Sequence, residues 1–175
     1  GPSGCGKTTL LNMFASLVRP TSGRVEVDGR VVTGPMPDKV AFVFQEHALF
    51  PWLSVLDNIR TALKFRGIAP RETADRARDA LDRVGLSGFA GHYPRQLSGG
   101  MRQRASLARA ISLDTPIILM DEPFAALDEI TRQKLNNDLL AMRDKIGCTV
   151  IFVTHSVFES VFLSDRIVVM APRPG

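Results

Sequence analysis

Short apolar runs alternate with helical patterns over the first fifty and the last sixty residues of this 175-residue chain. Val25 and Val27, Val40 to Phe44, Pro116 to Met120, Thr149 to Val153 and Ile167 to Met170 read as strands. Several are apolar at every position rather than at every second one. Strands buried on both faces look like that, so the pattern predicts a parallel sheet sandwiched by helices. One helix is expected from Lys7 to Val18, closed before Pro20. Another is expected from Thr131 to Ile146, with Leu135, Leu139, Met142 and Ile146 on one side and Gly147 at its end.

The middle differs. From about Ser54 to Ser112 the pattern is helical throughout. Ala74, Ala77, Leu81 and Val84 form one apolar stripe, with Arg78–Asp82 and Asp79–Arg83 as i,i+4 pairs outside it. The expected organisation is one α/β domain. Residues 1–50 and 113–175 form its core, and residues 51–112 form an inserted all-helical subdomain.

Composition narrows the class. Hydrophobic residues make up 45% and charged residues 23%, as in a globular chain rather than a disordered or collagen-like one. The longest wholly apolar stretches are far short of the roughly 20 residues of a membrane-spanning helix. Two cysteines, Cys5 and Cys148, argue for a reducing compartment and against a disulfide framework. Residues 64 to 110 hold ten Lys or Arg against four acids, a local excess of six within a net charge of +4. A basic middle suits nucleic acid or a membrane face, and a solvated helical face is the favoured reading. The chain opens without Met or an apolar leader, which points to a fragment.

Candidate chemistry starts at the first residue. Gly1-Pro2-Ser3-Gly4-Cys5-Gly6-Lys7-Thr8 matches G-x-x-x-x-G-K-[ST] in full, followed by Thr9 and a helical pattern. The glycines let backbone N–H groups turn inward toward a phosphate, and the helix adds its positive end. Lys7 supplies a point charge for β and γ phosphates, and the Thr8 hydroxyl is a ligand for Mg²⁺. A chance match is roughly a one per cent event in a chain this long. Cys5 is most simply a small residue lining the loop.

Pro116 to Met120 is an apolar strand that ends in Asp121 and Glu122. Ligands of open α/β sheets sit off the carboxyl ends of the strands. Asp121 is therefore expected beside the metal held by Thr8, and Glu122 beside a water aligned with the γ-phosphate. Further on, Leu97-Ser98-Gly99-Gly100-Met101-Arg102-Gln103-Arg104 opens a helix with Ser98 as its N-cap. It reads either as a plain cap or as a second anion site.

Ser98-Gly99-Gly100 between a phosphate loop and a carboxylate strand resembles the signature of ATP-binding cassette (ABC) ATPases. Gln45 falls where that family has its Q-loop glutamine, Ala126-Leu127-Asp128 looks like the D-loop, and His155 looks like the switch histidine. His47 and His92 read as ordinary core or surface residues. Phe50 to Ile59, Leu97 to Arg104 and Ala171 to Gly175 look like the nitrate, sulfonate and taurine importer group. Met101 stands where many relatives have Gln.

The resemblance implies a P-loop NTPase (RecA-like) fold and an ATPase that works with ATP and Mg²⁺. In the family, two copies face head to tail around two ATP molecules. Gly1 to Thr9 of one chain and Ser98, Gly99, Gly100 and Asp128 of the other would hold the nucleotide. Thr8, Gln45 and Asp121 would serve the metal; Glu122, His155 and Gln45 would serve catalysis. It also implies a membrane permease, a more distant solute-binding protein, and a peripheral place on the cytoplasmic face of the membrane. Trp52 and its neighbours fall near the permease-docking surface or in the subdomain core. A strand before Gly1 and an aromatic residue that stacks on adenine are expected upstream, and the C-terminal end is expected to be cut. Without that strand, the 175 residues alone are expected to fold or bind ATP poorly. An ABC ATPase acting on nucleic acid or ribosomes is the alternative, weakened by the lack of a coiled-coil insertion. A kinase, a GTPase and a non-hydrolysing ATP sensor fit less well.

Overall fold

The computed structural model of the protein describes residues 1–2, 4–125 and 127–171. Ser3, Ala126 and Pro172 to Gly175, all part of the motifs above, lie outside the described residues, as do the side chains of Met142 and Ile146.

Three strands form a parallel sheet in the order β3 (Val40–Val43), β4 (Ile117–Asp121) and β5 (Thr149–Val153). Val40 pairs with Ile117, and Ile117 with Thr149, so the carboxyl ends of all three strands finish together. Ile118, Leu119, Met120 and Asp121 are buried in succession, which means that both faces of β4 are covered. The expected strand is thus present, but it runs one residue further: Asp121 is its last rung, paired with Val153.

A short hairpin, β1 (Glu26–Val27) and β2 (Arg30–Val31), precedes β3. Asp28 and Gly29 turn it with φ of 52° and 73°. Two positive φ angles define the turn that matches strand twist, and Asp-Gly is its preferred sequence.

Helix α1 (Lys7–Phe14) ends four residues before the expected Val18. Ser16 takes φ 59°, its N–H bonds the Met13 carbonyl, and Leu17 N–H bonds the Asn12 carbonyl. That pair of bonds closes a helix with a left-handed residue after its last turn.

The middle segment folds as α2 (Val55–Phe65), α3 (Pro70–Arg83), two short 3-10 turns and α4 (Gly99–Ile111). Thr73, Ala77, Ala80, Leu81 and Val84 form the inner face of α3, while Ala74 sits at its margin. Arg83 pairs with Asp79 at 2.7 Å as expected. Arg78 does not reach Asp82; it pairs with Asp75 at 3.6 Å, and Asp82 accepts from the Ser87 hydroxyl instead. Helix α4 buries Ala105, Leu107, Ala108 and Ile111 and packs on β3, which joins the helical segment to the sheet in one apolar core.

Helix α5 (Glu129–Ile146) follows β4, and α6 (Val157–Leu163) follows β5. Ile167 to Met170, expected as a strand, form none. No backbone hydrogen bond from this segment occurs among the described residues, and Val168 and Val169 are exposed. An extended run becomes a strand only where a neighbour completes its ladder.

Candidate active site at the ends of the parallel strands

The loop before α1 turns on Gly4 and Gly6, with φ of 77° and 95°. Lys7 folds its side chain back over this loop. Its ammonium donates to the carbonyls of Gly1 at 3.1 Å and Pro2 at 3.0 Å, and lies 4.0 Å from Glu122 Oε1. Buried Cys5 lines the same loop, with Sγ 3.9 Å from the ammonium. The loop has no room beneath Gly1: a Cβ there would strike the Met170 carbonyl.

Thr8 and Thr9 follow on exposed positions. The Thr8 hydroxyl donates to Asp121 Oδ1 at 3.2 Å, a contact between residues 113 positions apart. Asp121 is 5% exposed. Burial pushes its carboxyl above the usual carboxylate range; the Thr8 hydroxyl opposes that shift, the Glu122 charge adds to it, and Lys7 opposes it.

Glu122 leaves the strand at a sharp angle. Its N–H bonds the Val153 carbonyl at 2.9 Å, extending the ladder by one bond, and its φ is 43°. A non-glycine residue in the left-handed region is uncommon, and such positions gather at functional sites. The turn aims the carboxylate between two partners, Lys7 on one side and His155 Nδ1 at 3.2 Å on the other. The structure thus brings Lys7, Thr8, Asp121, Glu122 and His155 into one connected group.

Gln45 is placed differently. It lies two residues beyond β3, exposed, and no described hydrogen bond joins it to the group. The segment after it is gripped by α4: Arg109 donates to the carbonyls of Ala48 at 2.6 Å and His47 at 3.4 Å, and His47 Nδ1 lies 2.6 Å from Gln103 Oε1. His47 is therefore a packing residue, as expected. Sequence reasoning missed Gln103 and Arg109 as its holders.

Ser98 caps α4 as expected, its Oγ accepting from the Met101 N–H at 3.3 Å. No described hydrogen bond or ion pair links Ser98, Gly99 or Gly100 to the Lys7 group. Gly100 instead approaches its own chain, where a Cβ would stand 2.9 Å from Thr131 Cγ2. Asp128 caps α5 through Thr131 N–H at 2.9 Å, and the bonds from Thr131 hold its carboxyl below the usual range.

Two further features bear on partners. Trp52 is 70% exposed beside Phe50, with ring centroids 5.6 Å apart, so it belongs to the surface rather than to the subdomain core. Buried Asn58 holds its loop: Oδ1 accepts from Phe50 N–H, and Nδ2 donates to the carbonyls of Phe50, Leu53 and Ser54. Half of the ten basic residues of the middle are matched by acids, through Arg66–Asp38, Arg76–Glu72, Arg78–Asp75, Arg83–Asp79 and Arg104–Asp138. No described helix is long and apolar enough to cross a membrane.

Comparison with known proteins adds an independent line. The ABC transporter family model matches residues 1–125. Over all 175 residues the chain is 53% identical to the ABC transporter ATP-binding protein MJ0412 of Methanocaldococcus jannaschii, covering 65% of that protein. It is 49% identical to the taurine import ATP-binding protein TauB of Rhizobium johnstonii and 45% identical to the nitrate import ATP-binding protein NrtD of Synechocystis. In both cases the whole chain is matched, against 66% and 65% of the relative. The chain therefore spans slightly less than two thirds of these relatives. Among solved structures it resembles the ATP-binding cassette MJ0796, a dimer in a post-hydrolysis state bound to ADP and Pi. The TM-score is 0.82 at 38% identity, over 93% of this chain and 75% of that one.

Proposed function

The chain belongs to the ABC transporter family, and from that premise we propose that it is the ATP-binding and ATP-hydrolysing part of an importer subunit. The observation that carries this reading is the connected group at the strand ends. Lys7 and His155 flank Glu122, and Thr8 bonds Asp121, although the five residues come from three separate segments.

The roles follow from chemistry. The backbone of Gly1, Pro2, Ser3, Gly4, Cys5 and Gly6, with Lys7, Thr8 and Thr9, takes the phosphate tail of ATP. Thr8 and Asp121 offer two adjacent hard oxygen donors, the donor set suited to Mg²⁺. Among the described residues no cluster of three or more His, Cys, Asp or Glu gathers for a metal. That fits an ion that takes most of its shell from phosphate oxygens and water. When bound, it neutralises charge on the phosphates. Gln45 is the further contact to metal and attacking water. Glu122 orients that water and accepts its proton. His155 contacts the γ-phosphate.

A second copy completes the site. Its Ser98, Gly99 and Gly100 present a capped helix start to the γ-phosphate, and its Asp128 crosses the contact. ATP closes this head-to-tail dimer; hydrolysis and product release open it. The motion passes to a membrane permease, with Trp52 on the docking face, while a solute-binding protein delivers the cargo. The taurine and nitrate import relatives favour a small oxyanion of the sulfonate or nitrate kind as solute. The subunit sits on the cytoplasmic face of the membrane, and no nucleic acid is involved.

Glu122→Gln tests the reading. The variant should still bind ATP, accumulate as a dimer and lose turnover by about 10² or more. Turnover close to the wild-type rate would remove Glu122 from the base role and the reading with it.

A further inference from the structure

We propose that Arg132 and Glu159 act as a positioning pair that ties the loop carrying Asp128 to the loop carrying His155. The proposal deepens the functional reading above and rests on it for the roles of those two residues.

Arg132 stands in the first turn of α5. Its Nη2 donates to the Leu127 carbonyl at 2.8 Å, immediately before Asp128, and its Nη1 bonds Glu129 at 3.3 Å. Its Nε is buried, has no hydrogen-bond partner among the described residues, and faces Glu159 Oε1 at 4.0 Å. Glu159, on α6, is 5% exposed. Its other oxygen accepts from the Thr154 hydroxyl, whose oxygen in turn accepts from the Ser156 N–H at 2.9 Å. These bonds bracket His155 on both sides. A path therefore runs from the Leu127 carbonyl through Arg132, Glu159 and Thr154 to His155, and on to Glu122. The 4.0 Å ion pair between Arg132 and Glu159 is its one non-covalent link that is not a hydrogen bond.

Arg132 is partly exposed, but its Nε is buried and so is the Glu159 carboxylate, and such groups are costly unless each meets the other. Here they stand about 1 Å beyond hydrogen-bond reach. Bringing them together satisfies Nε, the remaining orphan of that side chain. Because Arg132 holds the Leu127 carbonyl and Glu159 holds Thr154, neither partner can shift without carrying its loop. The pair therefore fixes Asp128, aimed at the second copy, relative to His155, aimed at the phosphate. Neither side chain touches the reacting atoms, so both are positioning residues.

The test compares Arg132→Met, Glu159→Gln and the double variant in the complete protein. Each single variant should lower kcat for MgATP hydrolysis about tenfold or more while KM stays within about twofold. Arg132→Met should also lower the melting temperature, because it strands a buried carboxylate. Adding Glu159→Gln should restore the melting temperature and leave kcat low. Recovery of kcat together with stability would reduce the pair to a structural contact and overturn the proposal.

A second measurement needs no turnover. In nuclear magnetic resonance spectra, Arg132→Met should move the His155 imidazole signal, assigned by His155→Ala, and Glu159→Gln should move the Thr131 amide. Perturbations confined to each variant's own loop would overturn the pairing. Absent hydrolysis in the wild-type protein would instead overturn the functional reading, with the resonances still deciding the pair.

Discussion

Gly100 and Thr131 meet so closely that a single added carbon on the glycine would stand 2.9 Å from the threonine methyl. The signature helix is thus seated on the start of α5 within one chain. Gly100→Ala gains helix propensity, at most about 1 kcal/mol, but overpacks this seat, which typically costs 1–3 kcal/mol. Net destabilisation of about 1 kcal/mol is expected by urea denaturation. Thr131→Ser, which deletes the methyl, should recover most of it in the Gly100→Ala background.

Lys7 is held by two loop carbonyls and lies beside Glu122. Lys7→Ala removes a charged donor from the centre of the phosphate loop. A hydrogen bond to a charged group is worth about 1.5–3 kcal/mol, so ATP affinity should fall roughly ten- to a hundredfold by calorimetric titration. Unchanged affinity would place the phosphates elsewhere.

Asp121 carries a burial cost, and its sign is testable. Its carboxyl is raised in the folded protein, so the native state holds the proton more tightly than the unfolded chain. Stability is then lost as pH rises through the window above the ordinary aspartate value of about 3.8. Asp121→Asn keeps an acceptor for Thr8 and removes the charge. It should melt at a higher temperature than the wild type at pH 7, with the gap narrowing toward pH 4, while hydrolysis is lost. A melting temperature below wild type at pH 7 would show that the charge is compensated.

Asn58 bonds three residues of the loop that carries Trp52 while being wholly buried. Asn58→Ala leaves the Phe50 N–H and the Leu53 carbonyl without their described partner, at about 1–3 kcal/mol. Thermal melting should drop accordingly, and Trp52 fluorescence should report a looser indole.

Much of this arrangement is legible in the residues. Three apolar runs became the three parallel strands, and burial on both faces of the central one, β4, leaves no polar position there to misplace. Lys7, Thr8, Asp121 and Glu122 could be joined because a phosphate loop and a strand-end acid pair must converge at the carboxyl edge of such a sheet. Elsewhere one strand signal misled and another went unread. Ile167 to Met170 has strand composition, but a ladder depends on a neighbour that local pattern does not reveal. β2, two residues long, is too short to carry an apolar pattern of its own, although Asp28-Gly29 announces a tight hairpin. The holders Asn58, Gln103, Arg132 and Glu159 carry no local mark: their importance comes from tertiary contacts, and each would pass for a polar surface residue. The duty of Gly100 toward Thr131 was equally hidden, since a glycine looks the same whether a ligand or a neighbouring helix comes close.

Glu122 hangs from a backbone twisted to φ 43°, and this makes different inactive substitutions unequal as reagents. Glycine would relax the twist and deepen the fold's energy well; valine or isoleucine would strain against it. Asparagine and glutamine fall between. Any survey of mutations at this one codon will therefore record two overlapping signals, chemical competence and conformational fit, and a gain in heat resistance there is no sign that the catalytic carboxylate is dispensable.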